Sequence, residues 1–89
     1  MDNVADGTTR TILITGANRG LGLALAKAYH AGGWRVLATC RKPRDAHDLR
    51  EAGLDPLELD VTSEASLRTL SERLEGEPID ILFGGYLRS

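Results

Sequence analysis

The chain has 89 residues, of which 42% are hydrophobic and 27% charged, and its formal net charge is -2 at neutral pH. This length allows one domain at most, and the slightly negative charge and few aromatic side chains speak against binding to nucleic acid or to anionic membranes. The single cysteine excludes an intramolecular disulfide, and no apolar run approaches the roughly 20 residues that span a bilayer, so we expect a cytoplasmic protein.

The first predicted elements are a leader, a strand and a helix. Residues 1–10 are polar and acidic, lack the layout of a signal peptide, and are interpreted as a flexible leader. The apolar run 11–15 predicts a buried strand. A glycine-rich segment, 16–22, then leads into a helix predicted over 21–31, which is rich in leucine and alanine.

The rest of the chain continues this alternation and sets the predicted fold. Strands are predicted over 34–40, 56–60 and 79–83, and helices over 46–52 and 64–74. Asp45 and Ser63 directly precede the two helices and are predicted to cap them. The order βαβαβαβ indicates a parallel sheet with right-handed helical crossovers. We therefore predict a doubly wound α/β fold with three helices and strand order 3-2-1-4, which binds ligands where the strand order reverses.

The segment 15–22, TGANRGLG, lies at this reversal, between the first strand and the first helix. Gly16 permits a tight turn, Gly20 lets a pyrophosphate approach the backbone, and Gly22 lets the helix lie close to the sheet. The N–H groups at the helix start attract an anion. The alternative is a glycine-rich turn that binds nothing, but the strand–turn–helix context favours a phosphate site. Its candidate residues are Gly16, Asn18, Arg19, Gly20, Leu21 and Gly22.

The TGxxxGxG pattern of this segment resembles that of the short-chain dehydrogenase/reductase family. Leu59-Asp60-Val61 resembles the Asp-Val/Leu step that follows the third strand of the family, and residues 79–83 resemble its fourth strand. The resemblance implies a Rossmann-type cofactor-binding domain over 11–83, followed by a tail over 84–89. It also implies that Asp60 accepts a hydrogen bond from the adenine amino group and that Val61 packs beside the ring.

The end of the second strand bears on the choice of cofactor. NAD enzymes usually carry an acid there, bonded to the ribose hydroxyls, whereas this chain has Cys40 followed by Arg41 and Lys42. In related NADP enzymes, basic residues here and before the second glycine, where this chain has Arg19, bind the 2′-phosphate. The resemblance therefore implies NADP(H) in preference to NAD(H), with Arg19 and Arg41 as main contacts. The alternative is that Arg41, Lys42 and Arg44 form a solvated basic loop over residues 41–44, which explains neither Arg19 nor the lack of an acid.

The family pattern is lost after Phe83. The Asn-Asn-Ala-Gly segment of the family is replaced by GGYLRS, and no Tyr-x-x-x-Lys motif occurs in the sequence. In the family, a Ser and this Tyr-Lys pair serve the transfer of hydride between alcohol and carbonyl, so we assign no catalytic residue here. The abrupt change predicts a truncated or frame-shifted gene product, or a deliberate fragment.

Two classes of function stay open for such a chain. One is an NADP(H)-binding fragment of an oxidoreductase, and the other is a non-catalytic oligomerisation or regulatory module. Slow catalysis by a self-associated form is a third hypothesis. The fourth strand would present an unpaired edge and uncovered apolar side chains, so we predict a homo-oligomer that associates through this edge. His30 and His47 lack partners at metal-ligand spacing, and no metal site is predicted.

Overall fold

The computed structural model describes residues 9–84, in which four parallel strands form one sheet with helices on both faces. The strands are β1 (Thr11–Thr15), β2 (Arg35–Cys40), β3 (Leu57–Glu58) and β4 (Ile81–Gly84). The helices are α1 (Gly20–Ala31), α2 (His47–Glu51) and α3 (Glu64–Arg73), and a 3₁₀ turn, Pro43–Asp45, precedes α2. Most of the predicted leader and tail lies outside the described residues, so both domain boundaries stay predictions.

The sheet has the strand order β3-β2-β1-β4, which confirms the predicted topology. β1 pairs with β2 in a register that aligns Ile14 with Ala38, and with β4 in a register that aligns Ile14 with Phe83. β3 pairs with the end of β2 through Leu57 and Glu58. All strands are parallel, so their carboxyl ends meet at one edge, and the segments that follow β1, β2 and β3 are brought together there.

One face of the sheet is closely packed. Ile12, Ile14 and Leu49 are at most 1% exposed and belong to one apolar cluster beneath α1 and α2. Full burial of such a side chain contributes about 1.5–3 kcal/mol to the free energy of folding. Ala26 of α1 is also fully buried against this face. Its small side chain allows the helix to approach the strands closely.

The other face carries α3 and is more open. Leu70 is buried, but Leu67 and Leu82 are 43% and 67% exposed. Together with Leu13 and Leu74 they line an apolar groove between α3 and the strands. Within residues 9–84, no helix is long and apolar enough to cross a membrane.

Two predicted caps had different outcomes. Ser63 caps α3 as predicted, because the backbone N–H of Ser66 donates to its Oγ over 3.1 Å. Asp45 was predicted to cap α2, and this is wrong. Pro43 starts a 3₁₀ turn in which the Asp45 N–H donates to the Lys42 carbonyl over 2.9 Å. Asp45 therefore ends this turn, and Ala46 occupies the cap position without a side-chain hydrogen bond.

The two outer strands are shorter than predicted. β3 contains two residues instead of the five residues 56–60. β4 begins at Ile81 because Asp80 closes the end of the β1–β4 pair. The Thr11 N–H donates to Asp80 Oδ2 over 2.7 Å, and the Asp80 N–H donates to the Thr11 carbonyl over 2.9 Å.

Candidate functional site

A cleft of about 620 Å³ lies at the carboxyl ends of β1 and β2. It is lined by Thr15, Gly16, Asn18, Arg19, Gly20, Leu21, Cys40, Arg41, Lys42, Asp45, Leu59 and Val61. Of the predicted site residues, only Gly22 and Asp60 are outside this lining. The structure therefore brings three segments to one cleft: the glycine loop (residues 16–20), the basic loop after β2 (residues 41–44) and the segment after β3 (residues 59–61).

The glycine loop has a backbone shape that needs glycine at two positions. Gly16 and Gly20 have φ angles of 62° and 61°, in the left-handed region that other residues rarely adopt. A Cβ added at Gly20 would meet nothing within 4 Å, so it would project into open space. Since Gly20 lines the cleft, the absence of a side chain keeps the backbone there accessible to a ligand.

Gly22 was predicted to let α1 lie close to the sheet, but the close approach that it permits is to the glycine loop. A Cβ on this residue would lie 2.5 Å from the Gly16 carbonyl oxygen and 3.2 Å from the Ala17 Cα. Both atoms belong to the loop and not to a strand. Gly22 therefore lets the first turn of α1 pack against the glycine loop itself, which explains why it does not line the cleft.

The amino end of α1 carries favourable electrostatics for an anion. The helix begins at Gly20, its cap residue Arg19 makes no side-chain cap hydrogen bond, and its first turn contains no acid. The first N–H groups of a helix lack partners within the helix, and its dipole makes this end positive. With Gly20 and Leu21 in the lining, this end of α1 meets the cleft.

The loop is fixed to β2 by a buried threonine that sequence reasoning did not single out. Thr39 is fully buried, and its hydroxyl donates to the Ile14 carbonyl over 3.0 Å. Its own carbonyl accepts a hydrogen bond of 2.9 Å from the Ala17 N–H. Two hydrogen bonds thus join this residue to the end of β1 and to the glycine loop.

Three exposed cations line the cleft: Arg19, Arg41 and Lys42. None of them takes part in an ion pair within residues 9–84. The ion pair between Arg35 and Glu77 lies away from the cleft, at the amino end of β2. The carboxylate of Asp45 also lines the cleft. Because three cations and one carboxylate line it, the net side-chain charge of the cleft is positive. Such a surface attracts a phosphate group.

Cys40 ends β2 at the floor of this cationic region. Its side chain is 2% exposed, and burial raises the pKa of the thiol, although the Lys42 backbone N–H and the Arg50 charge oppose this. The thiol is therefore neutral at neutral pH and is not an activated nucleophile. No carboxylate occupies this position, where it would repel a ribose phosphate.

Asp60 lies beside the cleft, between two residues that line it. Its Oδ1 accepts hydrogen bonds from the Thr62 hydroxyl over 2.6 Å and from the Thr62 N–H over 3.0 Å. These bonds lower the pKa of the carboxyl group, which is therefore ionised at neutral pH and acts as a hydrogen-bond acceptor. Leu59 and Val61 provide apolar surface in the cleft on either side.

Three lining residues were not among the predicted site residues. Thr15 is the last residue of β1 and Leu59 directly follows β3, and their position at the carboxyl edge of the sheet was the available signal. Asp45 was assigned to a helix cap instead. The described residues contain no group of three His, Cys, Asp or Glu side chains that could hold a metal ion.

Two curated proteins illustrate the relatives that match most of this chain. A short-chain dehydrogenase/reductase of Pestalotiopsis microspora is 40% identical over 74 residues, covering 82% of this chain and 27% of that protein. An NADPH-dependent 1-acyldihydroxyacetone phosphate reductase of Schizosaccharomyces pombe is 44% identical over 64 residues, covering 71% of this chain and 22% of that protein. The chain thus spans about a quarter of the length of these curated relatives.

A solved structure and a family model agree with these relatives. The crystal structure of a short-chain dehydrogenase/reductase from Burkholderia multivorans with bound NADP superposes with a TM-score of 0.75 at 41% identity. It matches 86% of this chain and 36% of that chain. The model of the short chain dehydrogenase family matches residues 10–85. Because residues 10–85 match this model, and the glycine loop and strand order agree with it, the chain belongs to the short-chain dehydrogenase family. It corresponds to the amino-terminal, cofactor-binding region of that family.

Proposed function

We propose that this chain binds NADP(H) in the cleft, as the cofactor-binding part of an oxidoreductase that interconverts carbonyl and alcohol groups. The proposal is carried by two guanidinium groups, Arg19 and Arg41, which form no ion pair within residues 9–84 and lie beside a β2 end that lacks an acid. A guanidinium can donate two hydrogen bonds to one phosphate. Lys42 adds a third positive charge to the same region.

The other parts of the cleft fit the remaining parts of the cofactor. The glycine loop, open above Gly20 and followed by the positive end of α1, suits a pyrophosphate. Ionised Asp60, which lies beside the cleft, suits the adenine amino group as an acceptor, and Val61 in the lining offers apolar surface to the ring. When bound, the nicotinamide would supply the hydride chemistry. The residues of this chain bind and orient it, and we place no catalytic side chain among them.

The relatives support the choice of cofactor. The Schizosaccharomyces pombe reductase is named as NADPH-dependent, and the Burkholderia multivorans protein was crystallised with NADP. Both are more than 40% identical to this chain over the residues that match.

Calorimetric titration of three proteins with NADP+ tests the proposal: the wild-type chain, Arg41→Ala and Arg44→Ala. Arg41→Ala should weaken NADP+ binding by about tenfold to a hundredfold, because a hydrogen bond to a charged group contributes about 1.5–3 kcal/mol. Arg44→Ala is the matched control, since Arg44 is exposed in the same basic loop but does not line the cleft. Equal losses in both variants would contradict a specific role for Arg41.

A second proposal concerns self-association through β4. β4 pairs with β1 on one side, and within residues 9–84 no strand pairs with its other side. Leu82, in the middle of this edge strand, is 67% exposed. We propose that a second copy pairs with this edge, which would satisfy its N–H and C=O groups and cover Leu82.

Sedimentation velocity tests this association. The wild-type chain should form a dimer or larger oligomer, and Leu82→Lys should shift it to a monomer. A monodisperse wild-type monomer would contradict the proposal. An oligomer that binds neither dinucleotide would favour the alternative function, a non-catalytic oligomerisation or regulatory module.

A further inference from the structure

Thr39 occupies an unusual place for a polar residue. It is fully buried within β2, immediately before Cys40 and the basic loop. Its hydroxyl donates to the Ile14 carbonyl over 3.0 Å, and its carbonyl accepts from the Ala17 N–H over 2.9 Å. A buried hydroxyl is costly unless it is hydrogen-bonded. Here the bond is made to the strand that leads into the glycine loop.

These two bonds connect the segments proposed to hold two phosphate groups of the same cofactor. The glycine loop faces the pyrophosphate, and Arg41, two residues after Thr39, faces the 2′-phosphate. The covalent structure of the cofactor limits the distance between these two groups. The protein must therefore present the loop and Arg41 at a matching distance before binding, since ordering them on binding reduces affinity.

We propose that Thr39 is a positioning residue that sets the spacing between the glycine loop and Arg41, and thereby the selectivity for the 2′-phosphorylated dinucleotide. This inference rests on the proposed NADP(H) site. The hydroxyl holds the end of β1 against β2, which keeps the Thr39 carbonyl within reach of Ala17. A ligand that contacts both segments depends on this spacing, whereas NAD(H), which lacks the 2′-phosphate, depends on it much less.

The variants Thr39→Val and Thr39→Ser separate the hydroxyl from the shape of the side chain. Valine keeps the branched shape but removes the donor, which leaves the Ile14 carbonyl with one partner fewer. Serine keeps the donor and removes a methyl group. A role in packing alone predicts that serine is the more damaging change, and a role for the hydroxyl predicts the reverse.

Titration of the full chain with NADP+ and NAD+ gives the selectivity of each variant. Thr39→Val should weaken NADP+ binding by about fivefold to tenfold, the loss expected for one buried hydrogen bond, and NAD+ binding by less than about twofold. Thr39→Ser should stay within about twofold of the wild type for both. Equal losses for NADP+ and NAD+ in Thr39→Val, or loss of selectivity in Thr39→Ser, would overturn the inference.

Amide hydrogen exchange, followed by NMR without cofactor, tests the structural step independently of any binding. In Thr39→Val the Ala17 N–H should exchange about tenfold faster than in the wild type, as its local opening becomes easier. The matched control is the Arg35 N–H, which donates to the Arg10 carbonyl over 2.8 Å at the far end of the same strand pair and should be unchanged. Unchanged Ala17 exchange would overturn the inference. Failure of the wild type to bind either dinucleotide would instead contradict the proposed function.

Discussion

The two faces of the sheet differ sharply in how well they are packed, although both are built from apolar residues. On the α1–α2 face, Ile12, Ile14 and Leu49 are at most 1% exposed, whereas Leu67 and Leu82 on the α3 face are 43% and 67% exposed. On the packed face, Ala26 of α1 is fully buried, and its small side chain lets the helix approach the strands closely. Ala17 of the glycine loop belongs to the packed cluster, so the candidate cofactor site is anchored on the better-packed face.

The largest expected effect is on the free energy of unfolding. Leu49→Ala should lower it by about 2–5 kcal/mol, because it opens a cavity in the packed face. Leu67→Ala, the matched change on the α3 face, should cost less than about 1 kcal/mol because the side chain already contacts water. Urea unfolding followed by circular dichroism measures both. Similar losses of unfolding free energy in the two variants would contradict the difference in packing between the two faces.

A large effect is also expected at Gly22. Gly22→Ala places a Cβ 2.5 Å from the Gly16 carbonyl oxygen, so the glycine loop must shift, at a cost of about 1–3 kcal/mol. NADP+ binding should fall below detection by calorimetry. The control is Gly76→Ala, since Gly76 has a φ of 82° and lies outside the cleft. Gly76→Ala should lose stability and keep its affinity for NADP+. Loss of NADP+ binding in this control would contradict the specific role of Gly22.

A smaller effect, of opposite sign, is expected at Asp45. This carboxylate lines the cleft together with the cations and should repel a 2′-phosphate. Asp45→Asn should therefore strengthen NADP+ binding by about twofold to fivefold at low salt and leave NAD+ binding unchanged, as expected for a screened surface interaction. Asp48→Asn, an exposed acid of α2 outside the cleft lining, is the control for net charge. Weaker NADP+ binding in Asp45→Asn would contradict the repulsion.

The smallest expected effect is the titration of Asp60. The Thr62 hydroxyl and N–H lower the pKa of this carboxyl group in the folded chain. Its contribution to stability is therefore present above the unfolded-state pKa and is lost as the pH falls through the lower, folded-state pKa. Thr62→Val should raise the pKa of Asp60 toward its ordinary value, and Thr62→Ser should not. NMR titration of the carboxyl carbon measures this, and an unchanged pKa in Thr62→Val would contradict the assigned cause.

Sequence patterns predicted the strand order of this fold and some of its local features, but not contacts that depend on the detailed course of the backbone. The bounds of β1 and the Ser63 cap depend on neighbouring residues and are confirmed. The cap assigned to Asp45 failed because Pro43 started a competing turn. The role of Thr39 could not be predicted, since its hydroxyl bonds to a carbonyl 25 residues away and depends on the β1–β2 register.

The central claim is most directly tested by titrating the wild-type chain with NADP+ and NAD+ in parallel, under identical salt and pH. We expect micromolar binding of NADP+ and binding of NAD+ that is weaker by about tenfold or more, the difference of about 1.4 kcal/mol or more expected from a bidentate phosphate contact. Equal affinity for the two dinucleotides would contradict the assignment of Arg19 and Arg41 to the 2′-phosphate. Binding of neither would contradict the cofactor site itself.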